Sequence, residues 1–317
     1  MNKKGDFFMS ICKELGIEYP IFCGAMARIT WHELVGAVSE AGGLGVLASG
    51  GMTAEQLRDE IRKTRETTVK PFGVNLMLQM NNIPELVEVI CEEKVAVVTT
   101  GAGNPAPYIP QLKAAGVKIF PVIASVKHAK KMEAAGADGV IAEGQEAGGH
   151  IGSVSTMSLI PQIVDAVNIP VIAAGGTGDG RTVAAMYALG AQGIQAGTIF
   201  LASEECQISQ NYKDAIIKAS DTDTIVTGRK AKDPVRALKT PMLEKFLDME
   251  QNNASFSDLE HLTVGSLKRA VDGDLENGTP MCGEIAGLIK EVKTSREIIV
   301  SLFEEADKIA QSLVINR

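Results

Sequence analysis

The chain has 317 residues, 45% hydrophobic and 22% charged, which suits a folded globular protein with room for one large α/β domain and an appendage, or for two domains. Its formal net charge of −8 leaves no global positive field to attract phosphates, which argues against general nucleic-acid binding. The five cysteines, Cys12, Cys23, Cys91, Cys206 and Cys282, are odd in number, scattered and without a CxxC pair, so they read as reduced thiols of a cytoplasmic protein and not as a disulfide framework or zinc site.

The N-terminal stretch has a basic start but no apolar run of signal-peptide length, and no later segment approaches a membrane span. From there the chain alternates. Apolar runs at Pro20–Phe22, Leu44–Leu47, Phe72–Leu76, Val95–Thr99, Lys118–Val122, Gly139–Ala142, Val171–Ala174 and Gly193–Ala196 read as strands. Helical spacing falls between them, at Trp31–Ala41, Ala54–Thr67, Pro84–Glu93, Pro107–Ala115, Val126–Ala135, Thr156–Val167 and Arg181–Leu189. Several helices end in Ala-Gly or Leu-Gly shortly before the next strand, the usual left-handed cap. Continuous apolar strands imply burial on both faces, hence a parallel sheet. Strand starts recur every ~20 to 32 residues, the size of a strand-helix unit. Eight such units within about 200 residues predict a (β/α)8 TIM barrel in preference to an open doubly wound sheet.

After Phe200 the pattern stops. Residues 203–253 are mixed and polar, 265–287 are glycine-dotted, and Ser295–Val314 reads as an amphipathic helix. The expected organisation is a barrel over residues 1–202, a smaller cap domain inserted after the last strand over 203–280, and a helical segment over 281–317 that returns to the barrel.

In a barrel, ligands sit where strands end. Those places hold Gly24-Ala25-Met26, Ser49-Gly50-Gly51, Asn75, Thr100–Asn104, Glu143–Gly152, Gly175–Gly178 and Gly197-Thr198. The loops after strands seven and eight form the usual phosphate site of such barrels, where backbone N–H groups meet an anion without a lysine. Gly175, Gly176, Gly197 and Thr198 occupy those loops here. Asn75 ends an apolar strand and reads equally as a ligand-reading amide or a turn cap. Gln195, inside strand eight, points into the barrel or at its mouth. In Glu143–Gly152 two carboxylates and three glycines precede His150, the side chain best suited to move a proton near neutral pH. No histidine spacing matches a metal motif and no GxSxG elbow is present, so neither a metal site nor a serine nucleophile is expected. A basic run over 227–245, with Arg229, Lys230, Lys232, Arg236, Lys239 and Lys245, reads either as a solvated surface or as a docking patch for an acidic partner.

These motifs together resemble the flavin-dependent nitronate monooxygenase-like barrels, and within them the enoyl-acyl-carrier-protein reductase II (FabK-type) branch. The resemblance runs from about Tyr19 to about Gly287. It is carried by Gly24-Ala25-Met26 after Pro20-Ile21-Phe22, by Glu143-Gly144 to His150-Ile151-Gly152, by Ala173-Ala174-Gly175-Gly176 and by Gln195-Ala196-Gly197-Thr198. Phe72–Met77, Thr99–Pro105 and Glu284–Leu288 favour the reductase branch; Ile151 stands where the monooxygenases often carry a basic residue. The resemblance implies FMN on the strand-end face, with Gly24, Ala25, Met26, Asn75, Glu143, Gly148, Gly149, Gly175, Gly176, Gln195, Gly197 and Thr198 as cofactor-binding residues and His150 as the catalytic residue. It further implies NADH or NADPH as reductant, an enoyl substrate on acyl carrier protein, and a homodimer. The alternatives are a nitronate monooxygenase, or a phosphate-ligand barrel without redox chemistry. Thr177-Gly178 stands where the family more often has Ile-Ala, beside the expected phosphate.

Overall fold

The computed structural model describes residues 11–314; the basic start of the chain lies outside the described residues. Eight parallel strands form one sheet: β1 (Ile21–Cys23), β2 (Val46–Ala48), β3 (Gly73–Met77), β4 (Val97–Gly101), β5 (Lys118–Ile123), β6 (Val140–Glu143), β8 (Val171–Ala174) and β9 (Gly193–Ala196), in the order β1-β9-β8-β6-β5-β4-β3-β2. The two ends meet. Cys23 N donates to Leu44 O at 2.9 Å and Leu44 N to Ile21 O at 2.8 Å, which closes the sheet as a (β/α)8 barrel.

The strand periodicity of two divides the core. Phe22, Val46, Val97, Phe120, Ile141 and Ile172, one from each of six strands, pack together inside the barrel. Phe22 and Phe120 meet edge to face there, ring centroids 5.5 Å apart. Ile11, Leu15 and Ile17, from the segment before β1, join this group and close its lower end. The alternate residues, such as Ile21, Cys23, Val140, Ala142, Val171 and Ala173, face the surrounding helices. β1, β2, β8 and β9 are buried at every position, as the unbroken apolar runs require.

The helices begin where capping residues place them. Thr53 and Gln56 form a capping box on Ala54–Thr67, Asp179 and Thr182 on Gly180–Ala188, and Thr294 and Glu297 on Ser295–Ser312. The terminal helix packs between the helices Gly180–Ala188 and His32–Glu40, completing the outer ring. Glu305 on it accepts from Gly180 N at 2.8 Å.

Beyond β9 the chain is more regular than its composition suggests. Thr198–Leu201 and Gln210–Lys218 are helices, then come strands β10 (Thr224–Thr227) and β11 (Val235–Leu238), then helices Pro241–Gln251, Phe256–Thr263 and Ser266–Asp272 and a 3-10 turn at Glu284–Leu288. A short strand absent from the sequence reading, β7 (Gly149–His150), pairs antiparallel with β11. The loop after β6 is thereby sewn into a three-stranded sheet with chain far downstream.

Candidate active site

The strand-end face of β8 is built from two glycines that no other residue replaces without strain. Gly175 and Gly176 have φ of +88° and +87°, in the left-handed region. A Cβ on Gly175 would stand 3.0 Å from Ala147 N and from Gly144 O. The N–H groups of Gly176, Thr177 and Gly197 donate to no acceptor among the described residues. The Thr177 hydroxyl is buried and has no partner either. Thr198 opens the short helix, and its hydroxyl accepts from Gly283 N at 2.8 Å, which leaves its proton free for a ligand. Unsatisfied donors in a glycine-built turn form a cradle for an anion.

The rest of the mouth is continuous with this cradle. The register sets Glu143 beside Ala174, Ala174 beside Gln195, and Gln195 beside Phe22. Gly24 N donates to Ala196 O at 2.8 Å, and a Cβ on Gly24 would meet Gln195 Cγ at 3.3 Å, so Gln195 lies against the Gly24-Ala25-Met26 turn. Met26 Sδ lies 3.5 Å from where a Cβ on Gly197 would be. Gly24 to Met26, Glu143, Gly175, Gly176, Gln195, Gly197 and Thr198 therefore share one wall. Asn75 stands across from them on β3, where its Nδ2 donates to Thr99 Oγ1 at 2.9 Å and its carbonyl accepts from Ser49 Oγ at 2.6 Å. Its side-chain oxygen keeps acceptor capacity for a ligand. The Glu143 carboxyl, at the end of β6, has no hydrogen-bond partner among the described residues, and burial pushes its pKa up to about 7.

His150 is held differently. β7 pairs Gly149 with Arg236 and His150 with Val235, and Ile151 N donates to Pro234 O at 3.0 Å. The imidazole is 57% exposed, with Nε2 3.5 Å from Asp233 Oδ1. Gly148 has a packing reason to be glycine: a Cβ there would fall 2.5 Å from the Cys282 carbonyl carbon. Gly149 has φ of +76°. The second carboxylate of the loop, Glu146, faces away from solution chemistry. It accepts from Thr156 N at 2.9 Å and from Thr156 Oγ1 at 2.7 Å, capping the helix Thr156–Val164.

Arg236 was counted in the basic run, and the structure corrects that. It is buried, donating from Nε to Gln145 O at 3.2 Å and from Nη1 to Thr224 Oγ1 at 3.0 Å, with Nη2 2.6 Å from Glu284 Oε1. One guanidinium thus joins the His150 loop, the β10–β11 hairpin and the 3-10 turn; its burial lowers its pKa from the usual arginine value. Lys230 is likewise engaged, its Nζ donating to Glu250 O at 2.8 Å and Gln251 O at 3.1 Å at the C-terminus of a helix. Arg229 and Lys232, both exposed in the β10–β11 turn beside Asp233, remain free for an outside partner. Sequence reasoning missed Arg236 and β7. The run of four β-branched residues Thr224-Ile225-Val226-Thr227 was the available signal for a strand there.

The family model for nitronate monooxygenase matches residues 9–86 and 77–305. A solved structure of FabK from Thermotoga maritima superposes with a TM-score of 0.92 at 49% identity, over 95% of this chain and 96% of that one. A probable nitronate monooxygenase of Staphylococcus aureus is 36% identical over 83% of this chain and 87% of its own length. A Mycobacterium tuberculosis protein named as a (3aS,4S,5R,7aS)-5-hydroxy-7a-methyl-1-oxo-octahydro-1H-indene-4-carboxyl-CoA dehydrogenase is 34% identical over 92% of this chain and 94% of its own. With the family model spanning nearly the whole barrel and the segment beyond it, the chain belongs to the nitronate monooxygenase family of oxidoreductases.

Proposed function

We propose that the protein is an FMN-dependent reductase that uses NADH or NADPH to reduce trans-2-enoyl groups carried on acyl carrier protein during fatty-acid elongation. The observation that carries this reading is the 49% identity to FabK over 95% of the chain, a span that takes in the segment beyond β9 as well as the barrel. The residues present fit FMN. The positive-φ glycines Gly175 and Gly176 and the unpaired N–H groups of Gly176, Thr177 and Gly197 suit its phosphate. The bare backbone at Gly197 lets a flat ring approach closely, with Asn75 and Glu143 available to its polar edge. Bound FMN would supply hydride transfer, from the reduced nicotinamide onward to the β-carbon of the enoyl thioester.

His150 has the complementary task. As hydride reaches the β-carbon, negative charge moves to the α-carbon and the thioester oxygen. The His150 imidazole would give a proton to that system or hold a hydrogen bond to the oxygen. Asp233, with Oδ1 3.5 Å from Nε2, would help orient the ring while the site is open and yield to substrate when it is filled. Arg236, through Gln145 O, and the β7–β11 pairing would fix where the ring stands. Arg229 and Lys232 are placed to meet an acidic carrier protein next to His150.

Identity to the Staphylococcus aureus relative supports the second reading, nitronate monooxygenase. FMN-loaded protein assayed side by side settles the choice. The reductase reading expects NAD(P)H consumption that depends on crotonyl thioester. Oxygen uptake that depends on an alkyl nitronate, with no enoyl reduction, would favour the other.

A further inference from the structure

The helix Val126–Ala135 carries its charges against its own dipole. Lys127 and His128 stand in its first turn and Lys130 and Lys131 follow, while its one carboxylate, Glu133, lies near the other end. Cations are unfavourable at a helix N-terminus and anions at a C-terminus, so this order does not serve the helix. Nor does the packing need it. Ser125 supplies the cap, accepting from His128 N at 3.3 Å, and Ala129 and Met132 form the buried face. Other lysines of the chain find anions: Lys63, Lys118, Lys268 and Lys293 each meet a carboxylate within 2.7 Å. Lys127, Lys130 and Lys131 meet none among the described residues, and Glu133 accepts instead from Asn168 N at 2.7 Å. At spacings of three and four these exposed lysines share one face.

The surroundings of that face say what it meets. The helix starts at the strand-end side of β5, and a Cβ on Gly152 would lie 2.8 Å from Ala124 Cβ. The loop that carries His150 therefore packs on the residue that leads into the helix. On the loop's other flank, Ile151 N donates to Pro234 O, in the turn that exposes Arg229 and Lys232. Unpaired cations thus stand on both sides of His150 in a chain of net charge −8. The adjoining helix Thr156–Val164 has no charged residue and holds Met157, 71% exposed, in its first turn. An exposed methionine beside unpaired lysines suits a protein partner, since charge steers the encounter and an adaptable apolar side chain holds it.

We propose that the exposed face of the helix Val126–Ala135, formed by Lys127, Lys130 and Lys131 with Met157 beside it, is a docking surface for the acidic protein that carries the enoyl group. Seated there, the carrier delivers its thioester arm over the His150 loop. This rests on the reductase reading above and adds the place where the carrier sits.

Charge reversal in FMN-loaded protein tests this with two substrates: enoyl-acyl carrier protein, and the crotonyl thioester of N-acetylcysteamine, which brings no protein. Lys127→Glu with Lys131→Glu should lower kcat/KM for the carrier-linked substrate about tenfold at low salt, and the deficit should shrink as salt rises, because rim charges act on association and are screened. Turnover of the short thioester should be unchanged. Glutamate suits the first turn of a helix, so the variant should melt no lower than wild type. Lys127→Gln with Lys131→Gln gives a smaller loss of the same kind and decides the matter should the reversal fail to fold. Lys70→Glu with Lys94→Glu, exposed ahead of β3 and β4 on the opposite rim, makes the same change in net charge and should have little effect. Met157→Ser should raise KM for the carrier-linked substrate alone, and Met157→Leu should restore it. Unchanged carrier turnover in the reversed variant would overturn the inference and leave the reductase reading standing. Equal loss from the opposite-rim pair, or equal loss on both substrates, would also overturn it. Wild-type protein that reduces neither enoyl substrate would overturn both.

Discussion

The two halves of the candidate site are built in opposite ways. The phosphate cradle is local: β8, its glycines and the helix Gly180–Ala188 are consecutive in sequence, and β9 with Gly197 follows one helix later. The His150 side is not. β7 is two residues long and exists through pairing with β11, whose partner residue Val235 lies 85 positions after His150. The cradle depends on backbone conformation, which a single side chain can obstruct. The histidine depends on a network of distant segments held by Arg236. The proposed division of labour follows: the first region binds the cofactor, the second positions the proton donor, and each should fail without the other failing.

The largest effect expected is on His150→Ala. General acid catalysis contributes typically ~10²–10⁴-fold, so reduction of enoyl thioester should fall by that order while reduction of the flavin by nicotinamide stays nearly unchanged. Stopped-flow measurement of the two half-reactions checks this; equal loss in both would merge the two regions into one function. Gly176→Val addresses the other side. Its φ of +87° is strained for a branched side chain, although the space around it is ordinary, the nearest atoms to a Cβ lying at 3.8 Å. The variant should fold and lose flavin on desalting, with FMN affinity down on the order of 100-fold. Retained flavin would place the phosphate elsewhere.

How readable each region was in the sequence follows from the same contrast. Val171–Ala174 and Gly193–Ala196 stand where the apolar runs put them, because a strand buried on both faces has one reading. The glycine pair after β8 was legible because glycine is the residue that takes up positive φ without a side-chain clash. Two residues such as Gly149 and His150 have no periodicity to detect. The burial of Arg236 was invisible because counting charge in a run says nothing about which way alternate residues of a strand point. Thr177 was read as a neighbour of the phosphate, but only the folded chain reveals that its hydroxyl is buried without a partner. The helices Pro241–Gln251 and Ser266–Asp272 fell in stretches read as mixed and polar or as glycine-dotted, because they are short and bury only a few residues each.

Glu143 offers a subtler comparison, since it stands in the cradle wall yet acts through protonation. Its carboxyl is raised from its ordinary 4.5 to about 7 by burial. Between those values the folded protein holds a proton that the unfolded chain has released. Stability of the cofactor-free protein should therefore fall as pH rises through this window, by on the order of 3 kcal/mol, and level off above it. Denaturant titrations across pH should show that slope in wild type and its loss in Glu143→Gln. A slope of the opposite sign would mean the carboxylate is paired.

A smaller effect is expected at Arg236. Arg236→Met removes bonds to Gln145 and Thr224 and the pair with Glu284, but Glu284 is 44% exposed and regains water. The cost in stability should be about 2 kcal/mol, less than for a fully buried pair. FMN affinity should change far less than in Gly176→Val, because Arg236 reaches the cradle only indirectly, through Gln145 O in the loop that packs on Gly175. Weakened FMN binding in a folded Arg236→Met protein would show that the two regions are coupled.

The most direct test of the account is an anaerobic single turnover. FMN-loaded protein is reduced with one equivalent of NAD(P)H and mixed with trans-2-enoyl thioester while the flavin absorbance is followed. The account predicts prompt reoxidation by the enoyl thioester, with saturated thioester as product, and slow reoxidation in His150→Ala. Flavin that stays reduced in the presence of enoyl thioester and reoxidises only when oxygen and an alkyl nitronate are admitted would contradict it.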